Sequence, residues 1–182
     1  SFATSQFLVS AQQSEAAITK VIQLVCENLG WDWGAYWAME QRHQAEPRLN
    51  CKYYWHHPEA ELKAFTDHSL ALSMGAGEGL VGRVWHSSQP SWVEDMDRDY
   101  DFLRRFSAKH CNLKSGYAFP ISYVSSDGTR HSVGVMEFFS AFSRQEEAQL
   151  PSLSAMIGAL VAQTIQRMEQ QESIQHLARI DD

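Results

Sequence analysis

Apolar residues near the start of the chain recur three and four positions apart. Ile18, Val21, Ile22, Val25 and Leu29 form one face of a helix predicted from about Thr4 to Leu29. Gly30 supplies its C-terminal stop. The period then falls to two. Strands are predicted over Gly34 to Met39 and Leu49 to Trp55, the second setting Leu49, Cys51, Tyr53 and Trp55 against Asn50, Lys52 and Tyr54, so that the first set shares a core-facing side. Pro58, tolerated in a first helical turn, opens a short helix through Phe65. The glycine-rich link Gly75 to Gly79 leads into another helix at Leu80 to His86. Ser91 to Glu94 reads as a brief strand, and Asp101 to Cys111 as a helix closed by Asn112, a residue type that tolerates the left-handed conformation.

Tyr117 to Val124 and Ser132 to Ser140 are the clearest strands. Asp127-Gly128 between them has the chemistry of a hairpin turn, so the two should pair antiparallel. Ser143-x-x-Glu146 has the form of a capping box. The stripe Leu150, Leu153, Ile157, Leu160, Val161, Thr164, Ile165 and Met168 then marks a long terminal helix. Helix, strands, helices, hairpin, helix is the order of an α+β fold with an antiparallel sheet, not of a parallel wound sheet.

The length of 182 residues suits one domain, and 44% apolar residues with six tryptophans imply a packed core. No apolar run is long enough to span a bilayer, and no secretory leader begins at Ser1. Cys26, Cys51 and Cys111 form no CxxC and leave an odd number, which fits reduced thiols and a cytoplasmic location. A net charge of −7, with Lys and Arg scattered, opposes nucleic-acid binding.

Gly77-Glu-Gly-Leu-Val-Gly82 spells GxGxxG, but Leu70 to Gly75 offers no strand for a dinucleotide-binding unit, so the glycines read as tight-turn and close-packing positions. There is no GxSxG, no HExxH and no zinc spacing; His56 and His57, adjacent on a strand, point to opposite faces. Glu137 alternates with Val133, Val135 and Phe139, which aims a carboxylate at a buried face. It needs a basic ligand, an internal partner such as Arg83 or Arg104, or access to solvent.

The run Gly77-Glu-Gly-Leu-Val-Gly-Arg-Val-Trp-His-Ser-Ser-Gln-Pro-Ser-Trp-Val-Glu-Asp95 resembles the central segment of GAF domains, small sensory modules of signalling proteins. Asp101-Phe-Leu-Arg104, Tyr117-Ala-Phe-Pro-Ile121 and Val133-Gly-Val-Met-Glu-Phe-Phe-Ser140 continue the match in order. The resemblance implies a GAF-like (profilin-like) sheet of five or six antiparallel strands flanked by helices, with long N- and C-terminal helices. It divides the chain into a linker helix at 1–13, a GAF domain at 14–168 and a signalling helix at 169–182. His176-Leu-Ala-Arg-Ile-Asp-Asp182 resembles the junction that precedes the GGDEF domain of diguanylate cyclases. The expectation is thus a bacterial regulatory sensor that binds a small ligand and controls a C-terminal cyclase making cyclic diguanylate. The chain itself is not expected to be an enzyme. A ligand-free dimerisation module, or a GAF domain of a sensor histidine kinase, are the alternatives.

Other cargoes of the family find less in these residues. Bilin-binding relatives place a cysteine beside a histidine, but His110-Cys111 has the order reversed; no spacing singles out a haem histidine; and the Asn-Lys pair of cyclic-nucleotide binders is missing although Phe142-Ser-Arg-Gln-Glu146-Glu147 imitates its second half. No bilin, haem or metal is expected. The branch that reduces free methionine sulfoxide needs a thiol where Leu80 and Val81 stand. Candidate ligand-binding residues are Trp55, Met74, Trp85, Trp92, Asp95, Phe102, Arg104, Tyr117, Phe119 and Glu137, on the ground that small-molecule sites are mostly apolar with few polar anchors. Asp95 and Arg104 could instead fix the loop they belong to. Ser1 to Gln13 begins in mid-element, as an excised module would. The terminal helices are expected to form a homodimer through Phe7, Leu8, Ile165 and Met168.

Overall fold

The computed structural model describes residues 1–181, with side chains through residue 178. In chain order the elements are α1 (Phe2–Leu29), β1 (Trp33–Glu40), β2 (Arg48–His56), α2 (Lys63–Ala71), β3 (Ser73–Met74), α3 (Gly79–Ser87), β4 (Ser91–Val93), α4 (Arg105–His110), β5 (Ser115–Val124), β6 (Arg130–Ser140) and α5 (Leu150–Asp181). The strands form one sheet in the order β3-β2-β1-β6-β5-β4, antiparallel at every pairing. The architecture is therefore α+β with six antiparallel strands and long terminal helices, the fold that the sequence resemblance implied. The last residue of the junction-like run, Asp182, lies outside the described residues.

Helices α1 and α5 cover one face of the sheet through Ile18, Ile22, Val25, Leu150, Val161 and Ile165, packed on Tyr36, Phe119, Met136 and Phe138. Helices α2, α3 and α4 cover the other through Phe65, Leu80, Val84 and Ala108, packed on Trp33, Trp37, Val135 and Phe139. Both faces of β1 and β6 are thus buried, which is why these strands read as nearly continuous apolar runs. The terminal helices run antiparallel to each other. The Gln175 amide donates to Thr4 Oγ1 at 3.2 Å at one end, and Arg144 Nη1 to the Gly30 carbonyl at 3.3 Å at the other.

Two β-bulges change the side-chain phase. Tyr36 pairs with Tyr53 but Trp37 pairs with Cys51, so Lys52 is an extra residue in β2. Leu49 and Cys51 consequently face α2–α4 while Tyr53 and Trp55 face the terminal helices, and the single core side predicted for those four residues is corrected. In β6 the extra residue is Val133, which separates it from Val135, Glu137 and Phe139.

Three element boundaries also differ from the sequence prediction, each because tertiary contacts take over the backbone. Residues 58–60 form a turn, with Ala60 N donating to His57 O at 3.0 Å, and the helix begins only at Lys63. The link Asp99–Arg104 is a chain of turns, and α4 begins at Arg105. Ser143 caps no helix: its neighbour Arg144 is drawn to the sheet, the Arg144 amide donating to Ser115 Oγ at 2.8 Å, and α5 starts at Leu150.

Ile165 and Met168, expected at a dimer interface, are buried on the domain's own sheet. The exposed large apolar residues of the terminal helices are instead Phe2, Leu8, Val9 and Leu24 on α1 and Met156, Leu160, Ile174 and Leu177 on α5. No described helix is long and apolar enough to cross a membrane.

Candidate functional site

Beneath α2–α4 the apolar layer holds two opposite charges. Glu137, on the central strand β6, is fully buried, and Arg104, on the link ahead of α4, is 1% exposed. Arg104 Nη2 lies 2.8 and 2.9 Å from the two Glu137 oxygens. The indole Nε1 of Trp37 donates to Glu137 Oε1 at 2.7 Å, and Arg104 Nη1 donates to Ser69 Oγ at 2.8 Å. Arg104 Nε is buried without an acceptor. Burial pushes the Glu137 carboxyl above its usual range, while the Arg104 charge and the Trp37 N–H pull the other way.

Aromatic rings wall the guanidinium. Its carbon lies 5.0 Å from the ring centroids of Trp37, Phe65 and Phe102 and 5.5 Å from that of Phe139. Phe65 stands edge-on to Phe139 and Trp33 at 5.2 and 5.0 Å, and Trp33 Nε1 donates to Thr66 Oγ1 at 2.9 Å, which ties α2 to the sheet. His68 of α2 contacts Ser107 of α4 through Nδ1 at 2.8 Å; burial, then the nearby Arg104 charge, lower its pKa and favour the neutral ring.

The glycines of GxGxxG serve the turn beside this layer. Gly77 and Gly79 have φ of 82° and 62°, and a Cβ on Gly82 would sit 2.4 Å from the Gly75 carbonyl oxygen. The Gly75 amide is taken by the Glu78 carboxylate at 3.0 Å, which also meets Arg48 at 3.2 Å.

The predicted site residues divide between the two faces. Met74, Phe102, Arg104 and Glu137 come together under α2–α4, with Trp85 packed at the margin. Trp55, Trp92, Tyr117 and Phe119 lie on the opposite face with the terminal helices, where Tyr117 Oη meets Ser154 Oγ at 2.8 Å. Asp95 belongs to neither: it accepts from Asp97 N at 3.0 Å, caps the 3-10 turn Met96–Arg98 and borders a surface hollow of about 630 Å³. Arg83 pairs with Asp99 at 2.6 Å, which leaves Arg104 as the partner of Glu137. Sequence reasoning missed Trp37, Phe65, Ser69 and Phe139. The i, i+4 pair Phe65 and Ser69 on one helical face was the available signal for two of them.

Of the cysteines, Cys51 and Cys111 border the α2–α4 layer and Cys26 is buried under the terminal helices. Burial pushes the Cys51 thiol up to about 12 and raises Cys26 as well.

The sequence matches the family described as "GAF domain" over residues 11–162. No curated protein matches the chain. Among solved structures it is similar to the GAF domain of the Acinetobacter phosphoenolpyruvate-protein phosphotransferase, with 13% identity, 97% of this chain and 98% of that one covered, and a TM-score of 0.64. It is similar to a far-red cyanobacteriochrome photoreceptor, with 16% identity, coverage of 91% and 93%, and a TM-score of 0.66. It is also similar to the free methionine-R-sulfoxide reductase of Neisseria meningitidis in complex with its substrate, with 18% identity, coverage of 92% and 88%, and a TM-score of 0.62. That enzyme overturns the expectation that a chain of this kind is not an enzyme: the same fold carries catalysis.

Proposed function

The chain belongs to the GAF domain family, a regulatory and sensory fold of signalling proteins, and on that basis we propose that it binds a small ligand between the sheet and α2–α4 and passes the event to an output domain through α1 and α5. The observation that carries this reading is the Arg104–Glu137 pair sealed inside an apolar layer. A buried ion pair stabilises a fold little better than apolar residues of the same volume, so its presence calls for another use.

The path from that pair to the terminal helices is short. Glu137 is three residues from Ser140, where β6 ends; the next residue, Ala141, donates its amide to Asp32 Oδ2 at 2.7 Å. Arg144 stacks on Trp31 with its guanidinium carbon 4.1 Å from the ring and reaches the Gly30 carbonyl and Glu147 at 3.3 and 2.6 Å. One side chain thus links the end of α1 to the approach to α5. A ligand with unequal affinity for two arrangements of α2–α4 would bias this corner, and without unequal affinity it would send no signal. The output domain we favour is a diguanylate cyclase, on the resemblance of the run from His176 onward, with the terminal helices paired in a homodimer through Leu24, Met156 and Leu160.

The test is a fusion of residues 1–182 to a diguanylate cyclase domain, assayed for cyclic diguanylate with and without a small-molecule cell extract. Extract should change the rate, and Arg144→Met should uncouple the change. A rate indifferent to the extract would defeat the proposal.

A further inference from the structure

The two halves of the buried pair are not held alike. Glu137 stands on β6 between β1 and β5, and its second partner, Trp37, is on the neighbouring central strand. Arg104 arrives from the opposite layer, on the turns that precede a helix of only six residues. A carboxylate beneath four aromatic faces is the make-up of a receptor for an organic cation.

Arg104 fills that receptor imperfectly. One nitrogen, Nη2, serves both carboxylate oxygens, and Nε has no acceptor. A free guanidinium turned to offer two parallel N–H groups would recover the missing bond. Charge balance also favours a cation. An anion that drew Arg104 away would leave Glu137 unpaired on a strand that cannot carry it to water, whereas an incoming cation leaves neither charge stranded, since the displaced arginine can reach solvent.

We propose that Arg104 is a built-in stand-in for the regulatory ligand, and that this ligand is a small organic monocation, of the guanidinium or methylated-ammonium class, which takes the aromatic cage and Glu137 while Arg104 swings out with the link ahead of α4. The inference rests on reading the α2–α4 layer as ligand-responsive.

The intact chain is titrated with methylguanidinium chloride, with tetramethylammonium chloride and with sodium chloride at matched ionic strength, followed by tryptophan fluorescence and thermal midpoint. One of the two organic cations raises the midpoint saturably and sodium does not; Glu137→Gln abolishes the response; Arg104→Met, freed of its internal competitor, binds the same cation about tenfold more tightly. Wild type indifferent to both organic cations overturns the proposal, even if methylguanidinium rescues Arg104→Met, because the pair is then cement only. This decisive outcome is read on the wild-type chain and needs no variant to fold. A fusion that answers to cell extract while the chain ignores both cations sinks the ligand class and leaves the regulatory reading standing; silence in both assays sinks both.

Discussion

Replacing Glu137 by glutamine keeps the shape of the side chain and removes its charge. The carboxylate now takes Trp37 Nε1 on one oxygen and Arg104 Nη2 across both, at 2.7, 2.8 and 2.9 Å. An amide has one oxygen and two N–H groups, so whichever way it turns, a donor meets a donor. The guanidinium, 1% exposed, cannot recruit water without opening α2–α4. Breaking a buried pair in this way costs about 3–5 kcal/mol. With a urea m-value of about 2 kcal/mol/M, a loss of about 4 kcal/mol lowers the unfolding midpoint by about 2 M, which the intrinsic tryptophan signal will report. The double variant Glu137→Leu/Arg104→Met should recover part of that loss, falling short by about 1–3 kcal/mol for a Trp37 N–H left without an acceptor. A drop of less than about 0.5 M for Glu137→Gln, or a double variant as unstable as the two single losses combined, would refute the reasoning.

Gly82→Ala should cost about 1–3 kcal/mol, because its Cβ meets the backbone oxygen of Gly75 at 2.4 Å, whereas Gly77→Ala meets open space and bears only the left-handed backbone cost of about 1–2 kcal/mol. Thermal midpoints compare them at about 2–4 °C per kcal/mol, and a milder Gly82 variant would count against the close packing. In the β5–β6 hairpin, the Ser125 hydroxyl and then the Thr129 amide hold the Asp127 carboxyl at about 2. A depressed carboxylate contributes while ionised, so the order of this turn is present above the unfolded value near 4 and is lost as pH falls through about 2. A carboxyl NMR titration with its midpoint near 4 would contradict that. Native protein treated with iodoacetamide at pH 8 should leave Cys51 and Cys26 unmodified, since burial raises both thiols and keeps the reactive thiolate scarce; rapid alkylation of Cys51 seen by mass spectrometry would show the layer to be open.

The periods of the sequence carried the fold a long way. Helix α1, the β5–β6 hairpin and the long α5 are all legible in apolar spacing and in Asp127-Gly128, and the ordered run from Gly77 to Ser140 named the family. Phase within strands was not legible. Leu49, Cys51, Tyr53 and Trp55 alternate without a break, and only pairing with β1 reveals that Lys52 is extra. The same limit divided the site. The alternation marks Glu137 as a buried carboxylate with Arg104 among its possible partners, but size and apolarity do not say which face of a sheet a ring occupies, and Trp55, Trp92, Tyr117 and Phe119 lie on the other one. Ser143 shows a third limit: a capping sequence loses to a neighbour whose amide is claimed by the Ser115 hydroxyl at the start of β5.

The bulges at Lys52 and Val133 give this domain an odd-even arithmetic. Removing either bulge residue would leave the rest of its strand on its present partners and faces, whereas removing a regularly paired residue would turn one end of the strand inside out and exchange partners between the two helical layers. Natural or engineered relatives should therefore tolerate many exchanges of residue type in these strands and the loss of a bulge residue, but other length changes there only in compensating couples.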